Sequence, residues 1–410
     1  MNEKEKIDLI TRISLDINQV KDIDILLERI LTNVRLFFNA DAGSIYLRDG
    51  DELKFSYSQN NTLQKKNANS RKLVYKTFSI PINNMSIAGH VAMHRKVVFI
   101  PDVYKLDSSV PYTFDSEFDE ISQYRSRSML TVPITNQRSN VLGVLQVINA
   151  MDENGNIIPF DDSDQPLVMH FATSAGLAIE RAQTTRNIIL RMISMAEMRD
   201  PKETGAHVNR VGAFSVEIYE EWARANNIPD EEVEVQKDVL RMAAMLHDVG
   251  KVAISDLILK KPARLTIDEY EIMKSHTFLG ARLFKDIHSD FDDVAMEVAL
   301  NHHENWAGTG YPGRNDSINL LRDDIYLNGN RKFIPKKGKD IPLFGRIVAI
   351  ADVYDALCSQ RAYKEAWQED EIIEEIKKSS GTHFDPCIVD AFFGCYDMLK
   401  SISKRYPDQE

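Results

Sequence analysis

Five histidines and two aspartates sit inside otherwise apolar helical patterns in the second half of the chain. They are His207 in KETGAHVNRV, His247 and Asp248 in MLHDVGK, His276 in MKSHTFLG, His302 and His303 in NHHENWAGTGYPG, and Asp352 in AIADVYDAL. A polar group buried among apolar side chains costs free energy unless something satisfies it. Taken singly, a histidine on an apolar helix is more often a satisfied core residue than a ligand. Together, the set restricts the fold to arrangements that gather these groups around a shared partner. A metal ion is the partner that fits imidazoles and carboxylates at once. The absence of thiolates suits iron, manganese or zinc, and the imidazoles argue against a calcium site of oxygens alone. The candidate ligands exceed one tetrahedral site, and Asp248, with two oxygens, can bridge two ions. On a continuing helix His302 and His303 would diverge by about 100°. For both to reach one ion the helix must end there, and Gly308, Gly310 and Gly313 supply the freedom to turn.

Helical periodicity surrounds these residues, over about 205–226, 231–247, 267–288, 291–303, 341–360, 368–378 and 386–402. The region is expected to be all-α. The polar stretch 314–340 interrupts it, and Asn328-Gly329 between Tyr326-Leu327 and Lys332-Phe333-Ile334 predicts a hairpin there. The first part of the chain reads differently. Helical patterns over 4–17 and 22–39 precede strands at 44–49 and 52–58. A short helix at 86–94 and strands at 97–100, 128–135 and 141–150 follow. That order implies an antiparallel sheet covered by helices, an α+β domain. From Asp164 onward Leu167, Phe171, Ala178, Ala182, Ile189, Met192 and Ala196 recur at spacings of three and four, with no breaker before Pro201. This predicts a long connecting helix that pairs with its twin in a homodimer. The domains are expected to be 1–182, a connecting helix 183–200, and 201–410 with 314–340 inserted.

Composition bounds the partners. The net charge of -12 disfavours binding to a nucleic-acid polymer, which needs a basic surface. Only Cys358, Cys387 and Cys395 occur, without metal-site spacing, and no apolar run approaches the length of a membrane span. With no signal-peptide pattern at the N-terminus, the expected location is cytoplasmic.

The motifs RDPKETGAHVNRV, LHDVGKVAISDLILKKPARLT, MKSHTFLGA, NHHENWAGTGYPG, ADVYDAL, SQRAYKEA and GTHFDP, in this order, resemble the HD-GYP domain. That is a subfamily of the metal-dependent HD phosphohydrolases that degrades cyclic di-GMP. The resemblance implies that His207, His247, Asp248 and Asp352 hold one metal, and that Asp248, His276, His302 and His303 hold a second. Glu203 matches a position that brings in a third ion in some members. It implies iron, alternatively manganese, two or three ions per chain. Asp248 and Lys251 would be catalytic, with Lys251, Tyr311, Arg361 and Lys364 meeting the substrate. It also implies a partner domain at the GYP loop. Insertion of 314–340 between GYP and Ile341-Pro342-Leu343 departs from the usual pattern.

The stretch 20–182, through SIAGHVA, LTVPI and VLGVLQVINA, resembles a GAF sensor domain. Asn149 and FDDSD (160–164) are similar to a signature of cyclic-nucleotide-binding members, from which Ala150 and Gln165 depart. Its ligand is left unassigned. The expected activity is hydrolysis of cyclic di-GMP to 5'-pGpG and then GMP. The alternatives are another cyclic dinucleotide, such as 3',3'-cyclic GMP-AMP, or a non-catalytic scaffold.

Overall fold

The computed structural model describes residues 3–66, 78–197, 205–285, 289–313, 335–358 and 367–407. The chain divides into two compact units, Met1–Arg186 and Asn187–Glu410. Each is described by itself.

The first unit opens with helices α1 (Glu3–Ile17) and α2 (Ile23–Phe37). Asp22 caps α2, its carboxylate accepting from the amides of Asp24 and Ile25. The buried stripe of Leu26, Ile30, Leu31 and Val34 turns α2 toward the sheet. Then follow β1 (Ala40–Asp49), β2 (Glu52–Asn60), α3 (Asn61–Lys66), β3 (Ser79–Pro81), α4 (Ile87–His94), β4 (Val98–Ile100), α5 (Glu117–Ser122), β5 (Met129–Thr135), β6 (Val141–Met151) and β7 (Ile157–Ile158). The sheet runs β3-β2-β1-β6-β5-β4, with β7 on β6, and every pairing is antiparallel. The unit is α+β, as the sequence implies. Helices α3 and α5 and strands β3 and β7, at two to six residues, are too short to carry a readable period.

Helix α6 (Gln165–Glu197) runs 33 residues and contains the boundary between the units. The expected stripe divides between buried and exposed positions. Phe171, Ala178, Ala182 and Ile189 are buried within the chain itself. The apolar side chains that α6 exposes are Leu177, Ile188, Met192 and Met195.

The second unit is helical among its described residues: α7 (Gly205–Ala225), α8 (Asp230–Met245), α9 (Asp256–Leu259), α10 (Ile267–Lys274), α11 (His276–Arg282), α12 (Asp290–Asn301), α13 (Leu343–Cys358), α14 (Glu369–Lys378), α15 (Pro386–Gly394) and α16 (Tyr396–Arg405). Helix α7 packs on α8, α13, α15 and α16. Phe214, Tyr354 and Phe392 fill the centre of this core, with successive ring centroids 5.1 and 5.0 Å apart. Two expected helices are broken. The stretch 267–288 divides at Ser275, whose amide and hydroxyl both bond to the Ile272 carbonyl and close a tight turn. The stretch 386–402 divides at Cys395. The hairpin expected within 314–340 lies outside the described residues up to 334.

Candidate metal centre

Five helices of the second unit deliver the polar residues singled out above. Helix α7 carries His207, and α8 ends at Met245 just before His247 and Asp248. Helix α11 begins at His276, and α12 ends at Asn301 so that His302 is its C-cap and His303 follows. Helix α13 carries Asp352. The helix therefore ends at the histidine pair, as a shared ion requires.

Close backbone approach makes this convergence possible. A Cβ on Gly250 would lie 1.9 Å from the carbonyl oxygen of His276 and 2.4 Å from the amide of Gly280. Only glycine lets the turn after Asp248 pack directly on α11. The Tyr311 amide donates to the His303 carbonyl at 3.1 Å, and the Gly313 amide donates to Glu304 Oε1 at 2.5 Å. The glycine loop thus folds back over the histidines, tied down by a buried glutamate.

Two ligand groups result. In Asp248, His276, His302 and His303, one ligand atom from each residue lies within 4.8 Å of the others, and the same holds for His207, His247 and Asp352. The groups adjoin, since His247 Nε2 stands 3.4 Å from Asp248 Oδ2 and 3.8 Å from Asp352 Oδ1. The imidazoles are oriented by acceptors behind them. Nδ1 of His247 meets the Ala244 carbonyl at 2.8 Å, and Nδ1 of His276 meets that of Met273 at 2.7 Å. Nδ1 of His302 meets the carbonyls of Val298 and Ala299 at 3.1 Å. A carbonyl only accepts, so each Nδ1 carries the proton and each Nε2 presents a lone pair. These lone pairs converge on a carboxylate: His276 Nε2 is 3.0 Å and His302 Nε2 3.5 Å from Asp248 Oδ1. That oxygen is buried and has no hydrogen-bond partner. Acceptors facing acceptors at such distances call for a cation between them. The donor set fits divalent transition ions.

The electrostatics agree. Burial, and then the neighbouring imidazoles, hold His303 well below its ordinary value; burial also lowers His302, so both stay in the neutral, ligating form. Burial alone would raise Asp248, but Lys251 and the imidazoles outweigh it and keep the carboxylate ionised.

Lys251 lies at the centre, its Nζ 2.6 Å from Asp248 Oδ2. Tyr311 lies beside the centre, its ring tilted 37° against that of His303 with centroids 4.9 Å apart. Glu203, Arg361 and Lys364 lie outside the described residues.

Two residues not foreseen complete the site. Asp355, one turn beyond Asp352, accepts from Nδ1 of His207 at 2.8 Å and is gripped by Arg210 Nε at 2.5 Å and Nη2 at 2.9 Å. The spacings carried a signal: His207 with Arg210, and Asp352 with Asp355, each recur three apart and so share a helix face. In the first unit, Asn149 is buried and committed to the backbone, accepting from the Arg127 amide and donating to the Arg125 carbonyl and Tyr124 hydroxyl. Asp164 pairs with Lys6 at 2.5 Å.

The chain matches the GAF domain family over residues 22–179 and the HD domain family over residues 204–357, with a second HD domain match over 327–388. It is 35% identical to a cyclic di-GMP phosphodiesterase of Vibrio cholerae over 295 residues, 70% of this chain and 53% of that protein. It is 34% identical to the 3'3'-cGAMP-specific phosphodiesterase 2 of the same organism over 57% of this chain and 39% of that protein. A cyclic di-GMP phosphodiesterase of Thermotoga maritima is 36% identical over 54% of this chain and 52% of its own length. The chain therefore spans about half the length, or less, of these curated relatives. It joins a GAF domain, residues 22–179, to an HD domain, residues 204–357.

Proposed function

We propose that the chain is a metal-dependent phosphodiesterase that cleaves cyclic di-GMP to 5'-pGpG, and by a second cut to GMP, under control of its GAF domain. The observation that carries this reading is the convergence of imidazole lone pairs on the buried, unpartnered Asp248 Oδ1. His207, His247, Asp248 and Asp352 would hold one ion, and Asp248, His276, His302 and His303 the other. Iron is the first assignment and manganese the second. Glu203 is the proposed ligand of a third ion. Bound ions supply charge that polarises a phosphoryl oxygen and make hydroxide available at neutral pH.

The protein's own groups do the rest. Lys251 neutralises Asp248 in the resting site and swings its ammonium to a non-bridging phosphate oxygen when substrate arrives. Arg361 and Lys364 are proposed to meet the opposite phosphate face, where the arginine fork suits phosphate oxygens. Tyr311 walls the site beside His303. A partner domain at the GYP loop, pairing of two chains through the GAF domain and α6, and a cytoplasmic location complete the reading. Among the described residues no helix is long and apolar enough to cross a membrane.

The similarity to a 3'3'-cGAMP-specific enzyme favours a second reading, hydrolysis of 3',3'-cyclic GMP-AMP by the same centre. Incubation of the metal-loaded chain with each dinucleotide, with products resolved by chromatography, separates the two. Cyclic di-GMP turnover to 5'-pGpG is expected. A chain that binds two ions yet leaves both dinucleotides intact would be a scaffold.

A further inference from the structure

Helix α10 raises a question of its own. A full capping box of Thr266 and Glu269 fixes its start, yet none of its residues is buried. Met273 anchors the helix on the cluster of Ile254, Ile258 and Leu259, and Tyr270 remains open to solvent. Tyr270 and Lys274, one turn apart, share a face. The Tyr270 ring, 48% exposed, lies 6.4 Å from the Tyr311 ring at 79°. The Lys274 ammonium stands 5.3 Å over the Tyr270 ring and 5.7 Å over that of Tyr311. Tyr311 in turn lies 4.9 Å from the His303 ring and 6.4 Å from the His276 ring. A line of aromatic rings capped by a cation thus runs outward from one ligand group to an exposed tyrosine.

We propose that Tyr270 and Lys274 are the base-reading wall of the substrate cleft, Tyr270 stacking on a purine and Lys274 selecting guanine. The proposal rests on the cyclic-dinucleotide reading above. A dinucleotide whose phosphate sits at the ligand groups must carry its bases outward over the rim, and an exposed aromatic face is the surface on which a base stacks. An ammonium has three donors and no acceptor. Guanine offers two acceptors side by side, O6 and N7, whereas adenine offers N7 beside a donor amine. Lys274 therefore fits guanine and meets adenine with one mismatched group. Its present partner, Glu271 at 2.5 Å, is 59% exposed, an ion pair weak enough to be shared with a base. Lys274 is a specificity residue and touches none of the proposed metal ligands.

The test compares kcat and KM of the metal-loaded full chain and its Lys274→Met and Lys274→Arg variants. The substrates are cyclic di-GMP, cyclic di-AMP and the base-free diester bis(4-nitrophenyl) phosphate. Lys274→Met keeps the aliphatic stem over the rings and removes only the donors. It should lower kcat/KM for cyclic di-GMP by about 10-fold, the scale of one lost base contact, mostly through KM. Turnover of the other two substrates should stay within about twofold, and Lys274→Arg should restore the guanine preference. Equal losses on all three substrates would place Lys274 on phosphate or the metals and overturn the proposal, as would unchanged cyclic di-GMP kinetics. A wild type that cleaves the base-free diester but neither dinucleotide sinks the substrate reading itself, and the wall with it.

Discussion

At the scale of single residues, Asp355 decides how His207 meets its group. The imidazole has two nitrogens, and the carboxylate behind Nδ1 fixes which of them faces Asp352, 3.6 Å away. Arg210 holds that carboxylate from two directions, so the ring, the acid and the guanidinium form one buried chain. Asp355→Asn keeps the volume and an acceptor oxygen while removing the charge. It should weaken metal binding at the His207 group by about 10- to 100-fold, the usual effect of losing the group behind a ligating histidine. Competition with a graded chelator, read with metal content per chain, checks this. Unchanged affinity would make Asp355 only a fold-stabilising ion pair. This residue also marks where sequence reasoning stopped. His207, His247, Asp248, His276, His302, His303 and Asp352 stood out because each is polar in apolar surroundings, a contrast visible in a few neighbouring letters. Asp355 acts through a contact 148 positions away, and no local contrast reports that. Lys251 was legible as a cation near the centre, but not its seat on Asp248.

At the scale of elements, the centre depends on how closely the turn after α8 can lie against α11. Gly250 sets that distance, because the atoms facing its missing Cβ are backbone and cannot rotate away. In Gly250→Ala the turn and α11 must separate, carrying Asp248 away from His276, now 3.0 Å from it. The expected outcome is a loss of about 1–3 kcal/mol in stability, the usual range for overpacking, together with loss of the ion at the His276 group. Denaturant unfolding and metal analysis on the same preparation read both. A variant with wild-type stability and metal content would show that this approach is not required. Periodicity revealed the helices themselves, and the glycine loop showed that α12 had to end at the histidine pair. The breaks at Ser275 and Cys395 were not legible, because neither residue is a strong breaker and the bonds from Ser275 to the Ile272 carbonyl leave no mark in the periodicity. The break at Ser275 matters most, since it makes His276 the first residue of α11 and separates α10 as an element of its own.

At the scale of the whole molecule, the apolar residues of α6, the helix along which the proposed control would run, divide into two sets. Of the stripe read from the sequence, Phe171, Ala178, Ala182 and Ile189 are buried inside the chain, whereas Met192 is not. Leu177, Ile188, Met192 and Met195 are exposed, at 36%, 53%, 40% and 63%. The last three stand four and then three residues apart, the spacing of a seam between paired helices. Large apolar side chains repeated along one helix at this interval form more than the scattered exposure any surface shows. Full burial of each against a twin would contribute about 1.5–3 kcal/mol, enough in sum to offset part of the association entropy. If two chains pair through α6, as proposed above, the face available to a twin is that of Ile188, Met192 and Met195, and it shares Met192 with the stripe that periodicity selects. Ile188→Glu with Met192→Glu should convert a dimer to a monomer in sedimentation equilibrium while each chain stays folded, since neither side chain is buried within the chain. Phe171→Glu should instead unfold the GAF domain, because its ring is only 3% exposed. If the double variant sediments as the wild type does, α6 is not the pairing element, and the proposed pairing through it is wrong.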